Sequence, residues 1–226
     1  MPTQYKVNSK LTTEQLTYYR EEVSLSFTVN DIIAAIAACN ADLTRQYTDA
    51  DKYPAPIIKN IPLKNTSGAV GECFGQHLAI QTKAFQKNPH EAGAPDFLPV
   101  VPSAEPWMSS PTKKYYPYGG FDTKASYTNK NKFMSVNASS HHDETTTVFV
   151  VQWTKTVDKI PQIIGTYYAN NLIPSDWSIT QSKPGTKTTN GGSLNATGRQ
   201  KLRDGWIVLH DSVQLPSNKL KAQYGL

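Results

Sequence analysis

The sequence predicts a single α/β domain that spans residues 1–226. Three observations favour this fold class. Apolar residues recur at helical spacing in the first hundred positions, short apolar segments bounded by Pro and Gly follow them, and the chain shows no internal repeat or clear interdomain linker. A chain of 226 residues is long enough for one domain with a sizeable core.

Helical spacing of apolar residues predicts three helices, over residues 16–23, 31–47 and 67–86. Thr28 or Asn30 provides an N-cap for the second of these helices. Ile32, Ile33, Ile36 and Leu43 fall roughly on one face of it, so we expect this helix to be part of the core.

The segment between the second and third helices, residues 53–65, contains three prolines and is expected to be an extended connection. Strands are predicted where short apolar runs lie between turn residues, at residues 93–102, 119–128, 145–153 and 206–215. Residues 157–171 show weak helical periodicity, and residues 181–205, rich in Gly, Thr, Asn and basic residues, are predicted to form a loop or an irregular hairpin.

The composition indicates a folded protein with a basic second half. Hydrophobic residues make up 38% and charged residues 18% of the chain, which excludes an intrinsically disordered protein. No apolar run approaches the ~20 residues of a membrane span, and no signal peptide is recognisable. Cys39 and Cys73 are expected to be reduced, in a cytoplasmic protein. Residues 111–226 carry an excess of basic side chains, which suits a polyanionic partner.

The motif that carries chemistry is an ordered set of acids and one lysine. Glu72 lies on the third predicted helix, Asp96 follows Pro95 beside one predicted strand, and Asp122 and Lys124 lie two positions apart on the next strand. Side chains two apart in a strand project from the same face. If these two strands pair, Asp96, Asp122 and Lys124 converge at the end of the sheet.

This arrangement predicts a site for Mg²⁺-dependent phosphodiester hydrolysis. Mg²⁺ prefers oxygen ligands and is usually bound by one or two carboxylates with waters and substrate phosphate. Asp96 and Asp122 supply the carboxylates, and the carbonyl of Thr123 is a further candidate ligand. Lys124 is placed to position or activate the attacking water and to offset charge on the phosphate. Glu72 is a candidate for binding a second ion or a bridging water.

These residues resemble the PD-(D/E)XK nuclease superfamily, whose motif is Pro-Asp, a variable gap and then an acid, any residue and Lys. The motif stands here as GAPDFLPV followed by GFDTKAS, and Glu72 in GAVGECFGQHLA matches a helical acid that the family often carries. The resemblance covers about residues 67–153. It implies a mixed central β-sheet flanked by helices, as in restriction endonucleases, Mg²⁺-dependent cleavage of DNA, and commonly a homodimer that cuts a palindrome. Asp122 departs from the commoner Glu, so the metal position relative to Lys124 is expected to differ slightly.

Candidate DNA-contacting residues follow the motif. They are basic or amide side chains that can reach phosphates or base edges, namely Lys130, Lys132, Lys183, Lys187, Asn190, Asn195, Arg199, Lys201 and Arg203. A polar surface loop accounts equally well for the second group, residues 183–203. The run of His and acidic residues at 141–144 is interpreted as a solvated loop, because no second ligand pair lies at zinc spacing.

The function expected from the sequence is that of a prokaryotic, cytoplasmic type II restriction endonuclease. Such an enzyme cuts double-stranded DNA with Asp96, Asp122, Lys124 and Glu72, with Mg²⁺ as cofactor and a homodimer as the assembly. Two alternatives stay open. One is another nuclease of the same superfamily, acting in repair or phage recombination, and the other is a non-catalytic carbohydrate-binding module, suggested by the many Thr, Asn and Tyr residues.

Overall fold

The structure, a computed structural model, describes residues 5–9, 11, 17–20, 23–50, 52, 57–90, 95–100, 120–128, 137–138, 146–180 and 191–210. In chain order, its elements are β1 (Tyr5–Val7), β2 (Thr17–Arg20), β3 (Val23–Ser26), α1 (Val29–Ala50), α2 (Ile57–Asn60), α3 (Leu63–Thr82), β4 (Phe85–Lys87), β5 (Phe97–Pro99), β6 (Asp122–Tyr127), β7 (Asn137–Ala138), β8 (Thr146–Lys155), β9 (Pro161–Leu172), a 3₁₀ turn (Pro174–Asp176), β10 (Trp177–Thr180), β11 (Gly191–Leu194), α4 (Ala196–Asp204) and β12 (Trp206–His210).

A five-stranded sheet in the order β1-β12-β9-β8-β6 forms the centre of the fold. β6 runs parallel to β8, whereas the other neighbouring strands run antiparallel. The described part of the chain is therefore mixed α/β, with a mixed central sheet and flanking helices, which confirms this coarse part of the predicted fold class. Three smaller sheets accompany it, formed by β10-β11-β7, by β2-β3 and by β4-β5.

Two apolar clusters lie on opposite faces of this sheet, as the alternation of side chains along β8 requires. Phe149, Val151 and Trp153 join the cluster under α1 and α3, and Val148 and Val150 join the cluster under α4. The packing of long helices on one face explains why the first hundred residues carry the helical periodicity. Of the helices in the described ranges, none is long and apolar enough to cross a membrane.

The helix predicted over residues 31–47 is confirmed, with Ile32, Ile36 and Leu43 buried as expected. Of the two candidate caps, Thr28 makes the capping hydrogen bonds. Its Oγ1 lies 3.1 Å from the Asp31 backbone nitrogen, and the Asp31 carboxylate accepts the Thr28 N–H at 2.9 Å. This reciprocal pair satisfies N–H groups that have no partner inside the helix.

The structure corrects two predicted helical segments. Residues 17–20 and 23–26, within or next to the first predicted helix, form the antiparallel pair β2-β3. Residues 157–171, with weak helical periodicity, contribute to the long central strand β9. β9 lies between β8 and β12 and is covered on both faces, so its apolar residues are continuous rather than alternating. Pro161 is the first residue of β9, where a strand tolerates its missing N–H.

Other boundaries differ from the prediction in smaller ways. The third helix spans Leu63–Thr82 instead of residues 67–86, and α2 lies within the connection that was expected to be extended. The predicted loop at 181–205 contains β11 and α4 in its described part. Asn195 starts α4, because its side chain accepts the N–H groups of Thr197 and Gly198 at 3.0 and 3.1 Å.

Candidate active site

The candidate active site lies where β5 meets β6, the terminal strand of the central sheet. Phe97 and Phe121 form an antiparallel bridge, with N–H···O distances of 3.1 and 3.0 Å. Gly120 makes this approach possible, since its φ is +127° and a Cβ atom would lie only 2.2 Å from the Phe97 carbonyl oxygen. The bridge brings Asp96 beside Asp122.

The Asp122 carboxylate binds the main chain of Asp96, and the Asp96 carboxylate binds the main chain of Thr123, the residue after Asp122. The backbone N–H of Asp96 donates to Asp122 Oδ1 at 3.0 Å, and the backbone N–H of Thr123 donates to Asp96 Oδ2 at 2.9 Å. Hydrogen bonds from N–H groups to a carboxylate are charge-assisted and strong. These two reciprocal bonds fix the two carboxylates relative to each other, although the residues lie 26 positions apart in the chain.

Lys124 completes the group. Its Nζ lies 3.8 Å from Asp96 Oδ2 and 3.9 Å from Asp122 Oδ2, so the sequence-predicted trio does converge. Burial works to lower the pKa of Lys124, but attraction to Asp122 and Asp96 outweighs it, and the net shift of the pKa is upward. Lys124 is therefore a charged ammonium at neutral pH.

Asp96 lies in surroundings that disfavour its ionised form. Burial is the largest cause that raises the pKa of Asp96, and repulsion from Asp122 is the second. Attraction to Lys124 and the hydrogen bond from the Thr123 N–H oppose this shift without cancelling it. The ionised form of Asp96 is therefore disfavoured in the fold, mainly by burial and secondly by the neighbouring Asp122.

The faces of β6 separate Lys124 from helix α3. Asp122 and Lys124 are in register with Val148 and Val150 of β8, and therefore lie on the face that α4 covers further along the sheet. Thr123 lies on the other face, towards α3.

Glu72 comes from α3, which packs closely against β5 and β6 through two glycines. An added Cβ at Gly71 would contact Ala125 at 3.6 Å, and one at Gly75 would overlap Phe97. The Glu72 carboxylate forms an ion pair with Lys87 of β4 and accepts a hydrogen bond from Gln76 at 2.9 Å. It is close enough to add to the upward shift of the Asp96 pKa. The structure thus brings Glu72 near the trio, but with a partner of its own.

Asn88 is a buried residue that the sequence did not single out. Its side-chain nitrogen donates to the Pro95 carbonyl at 2.9 Å, and its backbone N–H donates to the Asp96 carbonyl at 2.9 Å. The Pro95 carbonyl and the Asp96 N–H belong to one peptide group, which Asn88 and Asp122 therefore hold from its two ends. In the sequence, the signal at this position is the Asn-Pro pair at 88–89, which favours a turn after β4.

The donor set of the trio fits a hard divalent cation. In the described ranges no three His, Cys, Asp or Glu side chains meet in a group that could hold a metal ion. The site instead offers two carboxylates, those of Asp96 and Asp122. In each of them one oxygen, Asp96 Oδ1 and Asp122 Oδ2, accepts no hydrogen bond from a backbone N–H of the described residues. The Thr123 carbonyl faces the same edge as its N–H, because both groups of a residue lie on one side of a strand. Such a set, completed by water and substrate oxygens, suits Mg²⁺.

The candidate DNA contacts divide into two groups. Lys130, Lys132, Lys183, Lys187 and Asn190 lie outside the described residues, as does the run at 141–144. Arg199, Lys201 and Arg203 lie on α4, a helix instead of a loop. Lys201 binds the buried carboxylate of Asp176 at 2.7 Å, and Arg199 donates to the Leu194 carbonyl at 2.8 Å. These two side chains therefore already have partners within the fold.

Comparisons of the chain with protein-family models, with curated proteins and with solved structures gave no match. The interpretation of the site consequently depends on its own geometry.

Proposed function

We propose that this chain is a Mg²⁺-dependent endonuclease that hydrolyses phosphodiester bonds in double-stranded DNA, with Asp96, Asp122 and Lys124 as its catalytic residues. The observation that carries the proposal is the joint position of the trio. One ammonium lies within 4 Å of two carboxylates that are locked to each other at the terminal strand of a mixed sheet. The sequence predicted this convergence on the condition that the strands beside Asp96 and Asp122 pair.

The proposed metal ligands are Asp96, Asp122 and the Thr123 carbonyl. When bound, the ion supplies an activated water and charge stabilisation at the scissile phosphate. The reciprocal hydrogen bonds hold the two carboxylates in place before any ion arrives, which reduces the reorganisation that binding requires.

Lys124 acts in this proposal as a hydrogen-bond donor. In the metal-free site attraction to Asp122 and Asp96 raises its pKa, so Nζ carries its proton there. The ammonium orients the attacking water and offsets negative charge on the phosphate in the transition state.

The finer parts of the proposal are a type II restriction activity and a homodimer that cuts a palindromic site. Two-fold symmetry would present one site to each DNA strand. The excess of basic residues in the second half of the chain supports a nucleic-acid partner. A repair or phage-recombination nuclease shares the same chemistry and differs in sequence specificity.

The test is incubation of the purified full chain with phage and plasmid DNA, in Mg²⁺ and in EDTA. We expect discrete fragments that require Mg²⁺ and that disappear with Lys124→Ala, while Lys64→Ala, at an exposed lysine of α3, cuts normally. A smear of products would retain the nuclease but favour the repair class. Absence of both cleavage and DNA binding would overturn the proposal and favour the carbohydrate-binding alternative.

A further inference from the structure

The carboxylate of Glu72 already has two partners. Lys87 forms an ion pair with it, and the Gln76 amide donates to Oε1 at 2.9 Å. Lys87 is the last residue of β4 and is in register with Phe97 of β5, one residue from Asp96. The strand that supports Asp96 therefore also supplies the cation for Glu72.

Glu72 also approaches the site from a different side than Asp122 and Lys124. It lies on α3, which packs against the Thr123 face of β6, whereas Asp122 and Lys124 lie on the opposite face. The charge of Glu72 reaches Asp96, whose pKa it helps to raise. No ion pair or hydrogen bond in the described part of the chain joins Glu72 to the trio.

We infer that Lys87 keeps the Glu72 carboxylate out of the metal site, so that the protein binds one divalent ion through Asp96 and Asp122. The inference rests on the proposed function, because it concerns the same metal site. It follows from where the charges are paired. Glu72 and Lys87 neutralise each other, whereas among the described residues Lys124 is the cation that Asp96 and Asp122 share, which leaves one negative charge of this group uncompensated there.

The test is calorimetric titration of the full chain with Ca²⁺ in the absence of DNA, which needs no knowledge of the recognition sequence. The decisive variant is the double substitution Glu72→Gln with Lys87→Met, which removes the pair without changing the net charge. We expect one ion per chain for the wild type, and an affinity within about twofold of it for the double variant, because a self-neutralised pair contributes little field at the ion.

Lys87→Met alone is expected to strengthen Ca²⁺ binding on the order of tenfold, because it releases a carboxylate beside the ion. Lys83→Met is the matched control. It removes one positive charge from an exposed lysine at the end of α3 and should leave the affinity within about twofold. Thermal unfolding of each variant verifies that it is folded.

A double variant that loses tenfold or more in affinity would show that Glu72 is a ligand and would overturn the inference. Unchanged binding in Lys87→Met, or an equal gain in Lys83→Met, would overturn it as well. In both cases the wild type still binds Ca²⁺, so the metal site of the proposed function is not overturned. Absence of Ca²⁺ binding in the wild type and in every variant would overturn the metal site and the inference together.

Discussion

Replacing Gly75 with alanine is expected to destabilise the protein, because α3 touches β5 and β6 at this residue. An added Cβ would lie 2.2 Å from Phe97 Cε2 and 2.8 Å from Thr123 Cγ2. Contacts between carbon atoms normally lie at about 3.5–4.0 Å. Phe97 is fully buried and stacks on Phe121 at 5.0 Å, so its ring has little room to withdraw.

Two opposing effects set the magnitude. Overpacking of a core costs about 1–3 kcal/mol, and the overlap with two buried neighbours of Gly75 puts this substitution at the upper end. Alanine in a helix interior returns about 1 kcal/mol relative to glycine. The free energy of unfolding should therefore fall by about 2 kcal/mol.

Gly68 in the same helix is a matched control, since a Cβ there would meet nothing within 4 Å. Gly68→Ala should raise the free energy of unfolding by about 1 kcal/mol through helix propensity alone. Urea denaturation of both variants, followed by circular dichroism, measures the difference. If both substitutions stabilise the protein, the close packing of α3 on β5 and β6 is wrong. Under the proposed function, Gly75→Ala should also reduce cleavage, because Thr123 holds Asp96.

Three further predictions concern charged and polar groups. Lys201→Met leaves the buried Asp176 without its cation and should lower the free energy of unfolding by about 3 kcal/mol in chemical denaturation. Unchanged stability would mean that Lys201 has no structural role and is again a candidate for contacting DNA. Asp96→Asn should stabilise the metal-free protein at neutral pH, because the raised pKa of Asp96 means that its ionisation is unfavourable in the fold. This gain in the free energy of unfolding should shrink as the pH falls through the raised pKa towards the ordinary aspartate value. A gain that does not depend on pH would contradict this reasoning. Asn88→Ala removes the donor to the Pro95 carbonyl and should lower the free energy of unfolding by about 1–3 kcal/mol. It should also weaken Ca²⁺ binding, and an unaltered calorimetric titration would argue against a role of Asn88 in positioning Asp96.

The sequence was sufficient to predict the trio because its geometry follows from local rules. Asp122 and Lys124 share a face in any strand, and the position of Asp96 beside a second short strand suggested that pairing would bring all three together. The reciprocal backbone hydrogen bonds that orient the carboxylates could not be predicted in this way. They depend on the bridge between Phe97 and Phe121, a contact over a long separation in sequence.

The surroundings of the site were less predictable for the same reason. Phe85 and Gln86 were predicted to end the third helix, whereas they lie on β4 with Lys87, which pairs with Glu72. Lys201 looked like a loop cation for DNA, whereas a buried acid on a distant turn binds it. The long strand β9 has no alternating pattern because both of its faces are covered, and this burial is a property of the assembled sheet.

The hydrogen bond from the Thr123 N–H to Asp96 has a consequence for association between chains. β6 is the terminal strand of the described sheet, and an unpaired N–H on such a strand is a template for pairing with another molecule. The Asp96 carboxylate occupies this N–H and places a negative charge at the edge. Asp96→Ala would therefore expose a strand edge as well as remove a proposed ligand, and a loss of activity in that variant should be compared with Asp96→Asn, whose amide oxygen can still accept the bond. The acid that we propose as a metal ligand therefore also satisfies a hydrogen-bond donor at the edge of β6.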